Sequence, residues 1–178
     1  GNIIKTENAL DVSVSGPGFF QIQQADGTLA YTRDGSFKVS SQGQLVTAGG
    51  EILTPAITIP QNAAGITVGR DGIVTVELAN GGGATQVGQI TVARFINNSG
   101  LSPMGRNLYK ESVASGAPIV GLPGADGAGM LMQGSLEASN VNVVEEMVNM
   151  IETQRAYEVN SKAISAADGM LRFLNNNL

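Results

Sequence analysis

The chain has 178 residues, a net charge of −5, and neither cysteine nor histidine. Without those side chains a disulfide framework, a thiolate metal site, a Ser-His-Asp triad and the commonest general base are excluded. The acidic balance, the 24 glycines and a charged fraction of 14% argue against a nucleic-acid or anionic-membrane binder, and for a neutral surface that packs against protein neighbours.

The opening Gly1-Asn2-Ile3-Ile4-Lys5 has no basic n-region or apolar h-region, so no signal peptide is expected, and no apolar run approaches the eighteen residues of a membrane helix. Leu10–Val14 alternates apolar and polar residues, the pattern of a half-buried strand. Gly16-Pro17-Gly18 turns the chain into a second strand, Phe19–Gln23. Asp26-Gly27 predicts a tight hairpin with a type I′ turn, where both central residues have positive φ, and Leu29–Arg33 returns. In that hairpin Phe20 and Ile22 share the core face, leaving Gln21 and Gln23 outward. Asp34-Gly35 and Gln42-Gly43 punctuate the short strands Phe37–Val39 and Gln44–Val46. Ile57–Ile59, Gly65–Val68 and Ile73–Leu78 continue the all-β rhythm. Asn80–Gly83 reads as a loop or wide hairpin. Gln89–Phe95 alternates again, with Ile90, Val92 and Phe95 inward. Residues 98–129 read as irregular, with Leu108-Tyr109 as an anchor, and Gly129–Gly134 as a short strand closing the sheet. The predicted turn positions are Gly18, Asp26, Gly27, Asp34 and Gly35. Thr32-Arg33-Asp34-Gly35 is echoed by Gly69-Arg70-Asp71-Gly72, which reads as two turns sharing one chemistry.

The composition changes near residue 137. Of the 24 glycines only Gly169 lies beyond it, and all six prolines precede it. The reading is a mainly β chain: a glycine-rich β domain of short antiparallel strands over 1–136, then a segment, 137–178, with one long helix over 142–175. Asn142 and Glu145 fit an N-terminal capping box, and Glu158 and Lys162 an i,i+4 pair. Val143, Met150, Tyr157, Ile164, Leu171 and Leu178 recur every seven residues, with Met147 and Leu174 at companion positions. Such a repeat is a coiled-coil seam, interrupted here by Gln154, Ser161 and Asp168. A helix of ~50 Å outruns a domain about 35 Å across. It therefore projects and its seam needs a partner, or it folds back along its own β domain.

Nothing local suggests chemistry. Gly121–Gly129 lacks the Gly-Lys-Ser/Thr ending of a phosphate loop. Turns already explain Asp26, Asp34 and Asp71, and no spacing fits a calcium loop. No catalysis, cofactor or metal is expected.

Three stretches carry a family resemblance: Asp11-Val12-Ser13-Val14-Ser15-Gly16-Pro17-Gly18-Phe19-Phe20, Tyr31-Thr32-Arg33-Asp34-Gly35-Ser36-Phe37 and Gly43-Gln44-Leu45-Val46-Thr47. Together they resemble the signature of bacterial flagellar axial proteins of the rod and hook. Ser139–Ile151, followed by Gln154-Arg155-Ala156-Tyr157-Glu158, looks like the C-terminal helix motif of that family. Pro55–Pro60, Gly69–Gly72 and Ser115-Gly116-Ala117-Pro118 look like its distal-rod type. The resemblance implies a structural subunit that assembles helically into a hollow shaft in the basal body. Its N- and C-terminal helices would pair in an inner core, with an outer β layer between them. It implies partners among copies of itself, other rod and hook subunits and the periplasmic and outer-membrane rings, without membrane insertion. It also implies export without a cleaved signal. The family's N-terminal helix is absent from the sequence. A proximal-rod or hook subunit is the alternative within the class, and an extracellular β-rich binding module the alternative outside it.

Overall fold

The computed structural model describes residues 1–140 and 143–176. The chain forms two compact units, Gly1–Ala138 and Ser139–Leu178. In the first, β1 (Ile3–Lys5) and β2 (Val12–Ser15) precede the hairpin β3 (Phe19–Gln23) and β4 (Leu29–Thr32). Three short strands follow, β5 (Lys38–Val39), β6 (Leu45–Val46) and β7 (Ile52–Thr54), then three of six residues each, β8 (Ala63–Val68), β9 (Ile73–Leu78) and β10 (Ala84–Gln89). The unit ends with β11 (Val92–Arg94), β12 (Ser102–Gly105), β13 (Leu108–Lys110), β14 (Ile119–Gly121), β15 (Met130–Gln133) and β16 (Ser135–Glu137). The second unit holds the helix α1 (Val143–Asn176).

The main sheet has nine strands. Its path is β12-β13-β4-β3-β7-β6-β5, with β11 pairing β3 and β14 pairing β11. β8, β9 and β10 form an antiparallel meander, while β2–β15 and β1–β16 are two-stranded ribbons. The principal core includes Val12, Val14, Phe20, Phe37, Leu53, Val74, Val76, Ile90, Val92 and Leu131, so it draws on the main sheet, the meander and the β2–β15 ribbon. Each such side chain contributes about 1.5–3 kcal/mol when fully buried. A second cluster, Phe19, Tyr31, Ala93, Phe95 and Leu101, covers the other face of β3 and β4. With so few aromatic residues, their placement is economical. Phe20 meets Phe37 edge-on at 5.1 Å, and Phe95 meets Tyr31 at 4.8 Å and Phe19 at 5.9 Å.

The β3–β4 hairpin forms in the expected register, with Phe20 and Ile22 buried. Two details differ. Gln21 is buried as well, because the sheet is covered on both faces; it stands opposite Tyr31. The turn is not type I′. Gly27 alone of the pair has positive φ, at +82°, and its N–H donates to Gln24 O at 2.9 Å while Gln24 N–H donates to Thr28 O. That is a three-residue loop built on a type I turn, with Gly27 in the left-handed position.

Other expectations are corrected in the same way. Ile57 and Ile59 are buried, but their segment is not a strand; only Thr58 bridges Gln44. Gln89–Phe95 breaks after β10, although Ile90, Val92 and Phe95 do point inward. Residues 98–129 are not irregular throughout, for they contain β12, β13 and β14. A type I′ turn does occur there, at Arg106 (φ +52°) and Asn107 (φ +61°). β15 does not close the main sheet and instead pairs with β2.

Candidate assembly surfaces

α1 spans 34 residues without proline, about 50 Å at 1.5 Å per residue. Asn142 and Leu178 lie outside the described residues, as do the side chains of Val143, Met147 and Tyr157. The remaining predicted seam residues are Met150, Ile164, Leu171 and Leu174, and all are exposed, Met150 and Ile164 at 65%. Exposed Ile151, Val159 and Met170 lie off the seam. At 3.6 residues per turn, Val159 sits on the opposite side of the helix from Met150. The heptad reading missed these residues because it followed one stripe of the helix.

The β unit brings its chain ends together. Ile3 pairs with Glu137, Ile4 with Leu136 and Lys5 with Ser135, and Ala138 N–H donates to Asn2 O at 2.6 Å. The chain therefore enters and leaves this unit on neighbouring strands. Behind the ribbon sits Arg33. Its Nε donates to Glu137 Oε2 at 2.7 Å, Nη1 to Gly16 O at 2.8 Å and Gly18 O at 2.5 Å, and Nη2 to Val14 O at 3.0 Å. One planar fork thus joins β2, the Gly16–Gly18 turn, the end of β4 and the exit strand β16, a geometry that lysine cannot reproduce. Burial acts to raise the Glu137 carboxyl, but the hydrogen bonds it accepts, those from Arg33 among them, outweigh it and hold its pKa below the ordinary value.

The predicted turn residues serve this arrangement. Gly18 has φ +141°. Asp26 accepts from the Thr28 N–H and hydroxyl, at 2.9 and 2.6 Å. Asp34 accepts from the Ser36 N–H and hydroxyl, at 3.1 and 2.7 Å. Gly35 is needed for closeness: a Cβ there would lie 1.5 Å from Val12 O. In the echo, Asp71 accepts from Ile73 N–H at 3.2 Å, the same turn chemistry, but Arg70 is exposed. Elsewhere Gln133 ties the meander to β15, accepting from Val68 N–H and donating to Ile66 O and Ala9 O. Sequence reading missed Gln133, since a lone polar residue at a strand end carries no signal.

A cleft of about 330 Å³ lies beside Asp34, Thr47, Glu51 and Arg106, with Arg106 3.5 Å from Glu51. Among the described residues the side-chain ion pairs are Arg33–Glu137 and Arg106–Glu51, and the expected Glu158–Lys162 pair is not one of them. Among those residues no cluster could hold a metal ion, and no helix is long and apolar enough to cross a membrane.

Comparison with known proteins is consistent with these features. A family model described as the flagellar hook protein FlgE/F/G D1 domain matches residues 13–76, and one described as the flagellar basal body rod FlgEFG protein C-terminal region matches residues 132–177. The first match contains Arg33 and its carbonyl partners; the second contains Glu137 and α1. The chain is 52% identical to flagellar basal-body rod protein FlgG of Buchnera aphidicola subsp. Schizaphis graminum, over 98% of this chain and 67% of that protein. In Caulobacter vibrioides it is 47% identical to FlgG, over 94% of this chain and 64% of that protein. It is 41% identical to FlgF of the same organism, over 89% and 61%. The chain thus spans about two thirds of the length of these relatives.

Proposed function

Since the chain belongs to the flagellar basal-body rod protein family, we propose that it builds the distal rod by helical self-assembly, with α1 as the segment its neighbours enclose. It is a structural subunit of the flagellar basal body. The observation that carries the assembly reading is the set of large apolar side chains exposed on more than one side of α1. Water-exposed apolar area of that extent is a liability until protein covers it. The β1–β16 pairing supports the reading too. It would deliver a segment ahead of residue 1 beside the point where the chain leaves toward α1, as the paired helices of the resemblance require. The higher identity to FlgG than to FlgF within one organism favours the distal type. Contact with the rings, and export without a cleaved signal, belong to this proposal.

Ile164→Asp tests it. A carboxylate enclosed without a partner costs several kcal/mol. The variant should stop the full-length protein entering rods and abolish motility, with the melting temperature of the β unit unchanged. If instead that melting temperature falls by several degrees, α1 packs on its own β unit and the reading fails.

A further inference from the structure

The β9–β10 connection is Ala79-Asn80-Gly81-Gly82-Gly83. Assembly through α1 gives this loop no task. It holds the sequence's single Asn-Gly pair, Asn80-Gly81, and no residue from 78 to 93 is ionisable. Residues 79–86 are exposed.

An asparagine before glycine is labile because the next backbone nitrogen reaches the side-chain carbonyl carbon, and only glycine leaves that approach free of a Cβ. Two features of the loop favour the reaction. Asn80 Oδ1 accepts from Gly82 N–H at 3.3 Å, an Asx turn. A donor thus already sits on the oxygen that becomes negative as a nitrogen adds to Cγ. Gly81 and Gly83 have positive φ, +75° and +77°, and a Cβ on either would meet nothing within 4 Å. The backbone therefore has room to rotate. One bond opposes attack: Gly81 N–H donates to Leu78 O at 3.2 Å and must let go first. In an exposed loop water replaces such a bond at small net cost.

The competing sites are worse placed. The side-chain amides of Asn8 and Asn97 donate to Asp11 Oδ1 at 3.3 Å and Ala114 O at 3.2 Å. Asn98 precedes Ser99 and Asn107 precedes Leu108, so a Cβ shields the attacking nitrogen. Within α1 the backbone N–H groups belong to the helix. Asp26 and Asp34 also precede glycine, but an ionised carboxylate is a poor electrophile, and each is already held by an N–H and a hydroxyl.

We propose that Asn80 is a site of spontaneous deamidation, which turns an uncharged loop acidic as the protein ages. The Gly81 nitrogen bonds to Asn80 Cγ, the Cγ–Nδ2 bond breaks, and ammonia leaves with the proton the Gly81 amide gives up. Water then opens the cyclic imide. Opening at one carbonyl gives aspartate; opening at the other gives isoaspartate, whose main chain runs through Cβ and Cγ. The inference does not depend on how the subunits assemble.

The test uses the full chain, held folded at 37 °C at pH 7 and pH 8.5 and mapped by peptide mass spectrometry over time. The peptide containing Asn80 should show the mass gain of an amide-to-acid exchange before any other asparagine does, and faster at the higher pH. An isoaspartyl methyltransferase with labelled S-adenosylmethionine should mark the same peptide, the methyl passing from sulfur to the free carboxylate oxygen as an ester. Gly81→Ala should slow the exchange several-fold, and Asn80→Gln should give no product at that site with the melting temperature unchanged. The inference is overturned if Asn80 keeps its amide while the chain is folded and loses it only in urea, if another asparagine reacts first, or if Gly81→Ala reacts as fast as the parent.

Discussion

Replacing Arg33 by methionine keeps an apolar stem of similar length and removes the guanidinium. Glu137, at 17% exposure, would lose Arg33 as a partner. The carbonyls of Val14 and Gly18, part-buried where Arg33 meets them, would lose a donor each. Hydrogen bonds involving a charged group contribute roughly 1.5–3 kcal/mol each, while breaking a buried ion pair costs about 3–5 kcal/mol. Arg33 itself is 28% exposed, so water recovers part of this. We expect a net loss of about 3 kcal/mol, near the middle of those ranges once solvent is allowed for. For a unit of this size that corresponds to a fall in melting temperature of about 10 °C. Urea denaturation of the chain, followed by circular dichroism in the β region, measures it directly. Arg33→Lys should keep the charge but not the fork, and lose about half as much. Glu137→Gln combined with Arg33→Met should cost less than the sum of the single changes, because the two residues share one network. If Arg33→Met costs under about 1 kcal/mol, or Arg33→Lys matches the parent protein, the residue is a surface cation of the ordinary kind and its fork does not hold β2 and β16 together.

Acid should weaken the β unit through Glu137 and, at a separate site beside Arg106, through Glu51. The Glu137 and Glu51 carboxyls have folded-state pKa values below the unfolded reference of 4.5. In the window below that reference the unfolded chain binds more protons than the folded one, so stability present above pH 4.5 is lost as pH falls through the folded values. Urea midpoints between pH 6 and pH 3 should show the decline, and Glu137→Gln should flatten it; an unchanged slope in that variant would remove Glu137 from the account. Two glycine variants separate crowding from turn geometry. Gly35→Ala drives a methyl into Val12 O and should prevent the β unit from folding at 37 °C. Gly27→Ala meets nothing within 4 Å and should cost only about 1 kcal/mol, for its positive φ, as measured by the same denaturation curves.

The local patterns that sequence carries outright are those whose cause lies within a few residues. Phe19–Gln23 and Leu29–Thr32 are strands because their own alternation and the intervening Gly27 make them so. Val143–Asn176 is helical because good helix formers run there without proline. The Asp34 and Asp71 turns depend on a side chain bonding a backbone N–H two residues on. What tertiary structure decided is where distant groups meet. Ile3–Lys5 carries too little pattern to read as a strand, and becomes one because Ser135–Glu137, some 130 residues later, pairs with it. Gln21 looks outward-facing by period two, yet is buried because a second aromatic cluster happens to cover that face. Arg33 has the spacing of an ordinary turn residue, indistinguishable from Arg70 in the echo. Only the fold brings Val14, Gly16, Gly18 and Glu137 within its reach. Periodicity records which way a side chain points, whereas partnership depends on long-range register, and register follows from packing the entire core at once.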